Sequence, residues 1–153
     1  MRVGEICTRS VVTCARDTGA AEVSQLMRDR HVGDVIVVDE ADGKPVPVGI
    51  LTDRDLVVQV MAKGVDPQLL CAGDMLTGEL VTAGESEGVY DAIWHMRNHC
   101  VRRLPVVDAH NRLVGVLTAD DVTRFLAEEM AEIARIVPRQ IKREEATRPA
   151  AGG

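Results

Sequence analysis

The apolar positions of this chain follow two rhythms, short β-branched runs and a spacing of three to four, and the whole series occurs twice. In the first half, Val11-Val12-Thr13 reads as a short extended segment. Ala20, Val23 and Met27 then recur at helical spacing, with Asp17 or Thr18 placed to cap the helix. The β-branched run Val35-Ile36-Val37-Val38 predicts a strand. A turn rich in Asp, Gly and Pro is expected over 40–48, before a second strand ending in Gly49-Ile50-Leu51-Thr52. A last helix is expected over 54–63, stopped at Gly64.

The second half runs through the same elements. Leu80-Val81-Thr82 is the extended segment, and Ser86 is a suitable N-cap for a helix carrying Val89, Ala92, Ile93 and Met96. Leu104-Pro105-Val106-Val107 follows, then a turn with Asn111, then Gly115-Val116-Leu117-Thr118. The last helix can continue through Ala127 to Ile136, until Pro138. Val12-Thr13 matches Val81-Thr82, Met27 matches Met96 and Val37-Val38-Asp39 matches Val106-Val107-Asp108, all at an offset of 69. From Gly49 to Gly115 onward the offset is 66, so three residues are lost at a turn, where loops tolerate change.

This pattern predicts an α/β fold of two β-α-β-β-α repeats. The strands are short and almost wholly apolar, so the sheets are mostly buried and flanked by helices. One repeat of about 60 residues buries little surface alone; two packed about a pseudo-twofold axis solve that. The repeats are assigned to 1–66 and 67–130. Residues 131–153 form a helix extension and a C-terminal tail, expected to be disordered after Thr147. Met130, Ile133, Ile136 and Val137 would give that extension an apolar stripe for a second subunit.

The most specific motif is Gly-apolar-apolar-Thr-x-x-Asp, present at Gly49–Asp55 and again at Gly115–Asp121. Two readings fit it. Thr52 and Thr118 are natural N-caps, with Asp55 and Asp121 three residues on completing a capping box. The same geometry serves a ligand. A helix N-terminus presents free N–H groups to an anion, a Thr hydroxyl can bond a phosphate or ribose oxygen, and a carboxylate can accept from a ribose diol. Gly49 and Gly115 would then allow the backbone to approach the ligand closely.

The doubled motif, the element order and an aliphatic run ending in Asp together resemble the cystathionine-β-synthase (CBS) domain, over about residues 1–130. The resemblance implies a regulatory module that does no chemistry of its own. In that family the Thr and Asp contact the phosphate and ribose of AMP, ADP, ATP, S-adenosylmethionine, NAD or similar ligands, here Thr52, Asp55, Thr118 and Asp121. Val12, Thr13, Val81, Thr82, Val35 and Leu104 stand at positions that line the family's adenine slot. Arg102-Arg103-Leu104-Pro105 resembles the family's pattern before the central strand, with Pro105 as its proline. The resemblance also implies a flat, disc-like homodimer, an adenine nucleotide as regulatory ligand with no required cofactor, and an effector protein that reads the change. A ligand-free structural or interaction module is the alternative it leaves open.

The repeats differ where charge matters most. Arg102 and Arg103 suit a phosphate. The first repeat has Gly33 and Asp34 there, and Asp34 repels phosphate; His31 just before could supply a switchable cation. The two half-sites are therefore expected to differ, with the second taking the phosphorylated ligand.

Composition narrows the function class. The net charge is −6, with −8 over 1–130 and +2 over the tail, so there is no global pull toward nucleic acid or anionic lipid. One Trp, one Tyr and one Phe give no stacking platform for single strands. No apolar stretch is long enough for a membrane span, and the N-terminus has no signal-peptide core, so the expectation is cytoplasmic. Cys7, Cys14, Cys71 and Cys100 then read as reduced thiols. His95 and His99 stand four apart, a spacing that can bind zinc, but with no Glu of the zincin kind and no Cys-x-x-Cys no metal site is assigned. No Gly-x-x-x-x-Gly-Lys exists to grip a nucleotide for hydrolysis.

Overall fold

The computed structural model describes residues 1–148. It contains two three-stranded sheets, one per repeat. In the first, β1 (Thr13–Ala15) lies parallel to β2 (Asp34–Ala41), which pairs antiparallel with β3 (Lys44–Thr52). In the second, β4 (Ala83–Gly84), β5 (Arg103–Val107) and β6 (Leu113–Thr118) repeat that topology. Both central pairs shift register at equivalent places, between Val37 and Val38 and between Val106 and Val107. Helices α2 (Ala20–Arg30) and α5 (Val89–Asn98) bury the residues their spacing predicts: Ala20, Val23 and Met27, and Val89, Ala92 and Met96. The expected α/β architecture is present, and the predicted strands lie inside the observed ones or just before them.

Each repeat is preceded by a four-residue helix that its sequence pattern does not reveal, α1 (Val3–Ile6) and α4 (Ala72–Met75). Each packs on the other repeat. Val3 is fully buried in the core of the second repeat, with Val89, Leu104 and Leu117. Ala72 and Met75 are buried in the core of the first, with Val23, Val35 and Leu51. The backbone bonds match pairwise: Val3 N–H donates to Glu87 O as Ala72 N–H does to Thr18 O, and Gly4 N–H to Glu85 O as Gly73 N–H does to Arg16 O. Neither core is therefore complete without the lead-in of the other repeat, and the repeats are stitched into one body.

This exchange corrects the helix starts. Asp17, Thr18 and Ser86 do not cap; the N-cap positions are Gly19 and Gly88. The crossing segments tie both positions, through the pairings Gly19 with Cys71 and Arg2 with Gly88, and Leu70 O takes the Ala20 N–H. Thr18 instead accepts from Ala15 N–H in the turn before α2.

The segment 40–48 is mostly strand, closed by a two-residue turn at Asp42-Gly43 with φ of 52° and 68°. Pro45 and Pro47 are accommodated because β3 is an edge strand, where a missing N–H need cost no ladder bond. The helix expected over 54–63 begins as α3 (Asp53–Asp55) and widens into a π-helical stretch, Leu56–Met61, with Ala62 N–H bonding Val57 O; Gly64 follows at φ 65°. In the second repeat α6 (Ala119–Ala134) is regular, and Pro138 does not end the helical run. After a break at Arg135 it lies in the first turn of α7 (Ile136–Thr147), where its missing N–H is tolerated. The disorder expected beyond Thr147 falls on residues that, after Arg148, lie outside the described ones.

Candidate functional site

The antiparallel ladders deliver the motif residues to one end of each sheet. Thr52 closes β3 and starts α3; Thr118 closes β6 and starts α6. Opposite them in register stand Asp34 and Arg103: Asp34 pairs with Thr52, and Arg103 with Thr118. Directly opposed residues share a face, about 5 Å apart at Cβ. Each half-site is thus a Thr at a helix N-terminus beside a charged residue, an acid in the first repeat and a base in the second.

Both Thr-Asp pairs form closed capping boxes. Asp55 Oδ2 accepts from Thr52 N–H at 2.8 Å and from Thr52 Oγ1 at 2.7 Å; Asp121 Oδ2 accepts from Thr118 N–H at 2.9 Å and Oγ1 at 2.7 Å. The Asp backbone N–H groups return to the Thr hydroxyls at 3.3 and 3.1 Å. The carboxylates differ in what remains. Asp121 is buried, and its Oδ1 is held by Arg124 at 2.5 Å. Asp55 is half-buried, and Val58 stands where Arg124 stands in the second repeat, so one carboxylate oxygen keeps its capacity.

Arg103 does not stay within its own repeat. Its Nε lies 2.8 Å from Asp34 Oδ1. The N–H is not aimed along that line, and Nε has no hydrogen-bond partner, so the contact is a charge pair rather than an aligned bond. Burial lifts the Asp34 carboxyl above its ordinary value; Arg103 pulls it back, and neighbouring Asp53 adds to the rise. Asp34 and Arg103 are equivalent residues, 69 apart, so their contact lies on the pseudo-twofold axis. The two half-sites flank that axis and share one ion pair.

One hollow of about 560 Å³ lies in the first repeat, among Ala20, Ser24, Leu56 and Val60, and is lined by neither Thr52 nor Asp55; three others lie on the side of the second repeat. One of about 140 Å³ lies between Gly49 and Ile50 of the first repeat and Val81, Val101 and Arg103 of the second. A smaller one, about 50 Å³, is lined by Arg102, Arg103, Thr118, Ala119 and Asp120. A third, about 470 Å³, lies over Val81, Thr82, Val101, His95 and His99. They adjoin through shared walls, Arg103 for the first two and Val81 with Val101 for the first and third. The structure thus brings Val81, Thr82, Arg102, Arg103 and Thr118 together. In the first repeat Val12 is half-buried and Thr13 exposed, and His31 is an exposed residue that ends α2 at φ 54°. None of these three shares a described hollow with Thr52 or Asp55.

Three expected contacts change meaning. Val35 and Leu104 are fully buried in the two cores and Pro105 is buried as well, and none of the three lines a described hollow. The close approach at Gly49 and Gly115 is made by protein, not by a ligand. A Cβ on Gly49 would overlap the Leu76 side chain, and one on Gly115 would stand 2.9 Å from Thr8 O and from Cys7 Sγ. These are the lead-in segments crossing over. Sequence reasoning missed Val101, Ile50 and the Asp34–Arg103 pair. The pair had a signal: opposite charges at equivalent positions of a twofold repeat. Among the described residues no group of three or more His, Cys, Asp or Glu is placed to hold a metal ion, and no helix is long and apolar enough to cross a membrane.

A protein-family model for the CBS domain matches residues 3–62 and again 72–128. Protein MK0525 of Methanopyrus kandleri is 36% identical over 120 residues, which take in 78% of this chain and 60% of that protein's length. Hypoxic response protein 1 of Mycobacterium tuberculosis is 34% identical over 121 residues, 76% of this chain and 80% of its own. Among solved structures, the CBS domain protein PAE2072 from Pyrobaculum aerophilum, complexed with AMP, is similar at a TM-score of 0.73 and 25% identity, over 86% of this chain and 99% of its own. The chain belongs to the CBS domain family, as two tandem copies of the domain.

Proposed function

We propose that this chain is a cytoplasmic regulatory module that binds an adenosine-containing ligand, AMP, ADP or ATP before NAD or S-adenosylmethionine, in the cleft between its repeats. The observation that carries the reading is the second half-site. Arg103 and Thr118 stand side by side at the N-terminus of α6, with Arg102 on the same hollow. A guanidinium fork, a hydroxyl and the positive end of a helix dipole together are a phosphate-binding set. Val81, Val101 and Ile50 add apolar walls for a base. The AMP bound by PAE2072 supports the ligand class.

The hollows nearest Thr118 are smaller than the roughly 300 Å³ of a typical ligand pocket, so binding opens the cleft. Opening it moves Arg103 away from Asp34, and with it the first repeat. A homodimer then changes shape or strength, and an effector chain reads the change. The module itself performs no reaction, and nucleotide incubated with it is recovered unaltered by chromatography.

The other reading, an interaction module with a closed cleft, is favoured by the completed capping boxes and the occupied Arg103. A thermal-shift panel of AMP, ADP, ATP, NAD, S-adenosylmethionine and adenosine separates the two. Ligand at 100 times its dissociation constant stabilises by about 2.7 kcal/mol, and each kcal/mol moves the midpoint of a chain this size by roughly 2–4 °C. No shift with any compound leaves the interaction module.

A further inference from the structure

Helix α6 leaves the body of the protein at its midpoint. Phe125 and Leu126 still pack against the second core. Beyond them Met130, Ile133, Ile136, Val137 and Ile141 each have half or more of their surface exposed. Leu126, Met130, Ile133 and Val137 follow one another at steps of four, three and four, the spacing of an apolar seam on one helix face. Single exposed aliphatics are ordinary, but a continuous stripe marks a docking face. The run survives the break between α6 and α7, because Arg135 keeps a right-handed backbone at φ −82°, ψ −10°.

The flanking charges say what covers it. With Met130 and Val137 at one seam position and Leu126 and Ile133 at the other, Glu129, Ile136 and Arg143 fall on one flank and Ala127, Ala134 and Ile141 on the other. Among the described residues no ion pair holds Glu129 or Arg143 within the chain. A second copy laid antiparallel packs Ile133 against Val137 in both directions. It sets Glu129 against Arg143 of the second copy, twice, and brings Ile136 against itself on the twofold axis. A parallel copy pairs the charged flank with Ala127, Ala134 and Ile141 and gains no opposite charge.

We propose that a second copy of this chain covers the stripe, as an antiparallel two-helix seam over residues 130–143 centred on Ile136. This names an interface for the dimer of the previous section and rests on that dimer, not on any ligand. Sedimentation of the full chain tests it. Ile133→Glu with Val137→Glu leaves the fold intact by circular dichroism, since both sites are exposed in the single chain, and raises the dimer dissociation constant at least a hundredfold. Glu129→Arg and Arg143→Glu each weaken the dimer, and the two together restore it. In a Cys100→Ser background, Ile136→Cys cross-links to itself under mild oxidation and Met130→Cys does not.

A dimer indifferent to the double Glu variant overturns the seam while the dimer itself stands. A dimer broken by that variant but neither rescued by the charge swap nor cross-linked at position 136 overturns the antiparallel register. A chain monomeric at every concentration sinks both readings, as does one that remains monomeric and instead sediments with anionic vesicles.

Discussion

The two half-sites are built on one backbone and carry opposite charge. Where the second repeat has Arg102, Arg103, Ala119 and Arg124, the first has Gly33, Asp34, Asp53 and Val58. The Thr-Asp boxes are nearly superposable in their bonds. The scaffold therefore fixes where a ligand end can sit, and the residues facing each Thr fix which end. On the proposed reading, the second half-site offers donors suited to a phosphate, and in the first Asp55 keeps an oxygen able to accept from a ribose hydroxyl.

The comparison breaks most sharply at Arg103. Arg103→Ala removes a charge-assisted bond worth about 1.5–3 kcal/mol, so AMP binds roughly ten- to a hundredfold more weakly in calorimetry while adenosine binding stays as it was. Arg103→Lys keeps the charge, loses the planar fork and falls between. Equal loss of AMP and adenosine would show that Arg103 shapes the cleft and does not meet a phosphate.

A second contrast lies behind the sites, at the glycines where the lead-ins cross. A methyl group on Gly115 meets the carbonyl of Thr8, which is paired in both directions with Val116 and has nowhere to go. A methyl on Gly49 first meets the Leu76 side chain, which can move more readily than a paired backbone. Gly115→Ala therefore costs about 1–3 kcal/mol in urea unfolding, as overpacking does, and Gly49→Ala less. Equal costs would mean that the two crossings are equally rigid.

The tandem repeat, the sheets and the buried faces of α2 and α5 are legible in the sequence because each rests on periodicity over ten or so residues. The doubled Thr-x-x-Asp was legible for the same reason, since both readings of it use local geometry. What periodicity cannot carry is the exchange of α1 and α4. Four residues make barely one turn, and their apolar residues Val3, Ala72 and Met75 gain meaning only from partners in the other repeat, far off in the chain. The misplaced caps at Ser86 and Thr18 follow from that omission, because a crossing backbone ties the helix starts that a side chain was expected to cap. The resemblance assigns Val35 and Leu104 to a slot, but the alternation that makes them strand residues also turns their side chains into the cores, beside Val37 and Val106.

The smallest effect concerns the ion pair that joins the half-sites. Burial raises the Asp34 carboxyl in the folded chain, so the folded state holds that proton more tightly than the unfolded one. Stability from this group is full below the ordinary value of 3.8 and declines as pH rises through the window up to the raised value, then stays level. Asp34→Asn removes the decline, so its unfolding midpoint gains on the parent across that window and runs parallel above it. The substitution also frees Arg103 from a half-buried pair worth up to about 1 kcal/mol, so AMP binds up to about fivefold more tightly. If the pH profile changes and AMP affinity does not, Asp34 and the ligand do not compete for the same guanidinium. The two half-sites would then share an axis without sharing a charge.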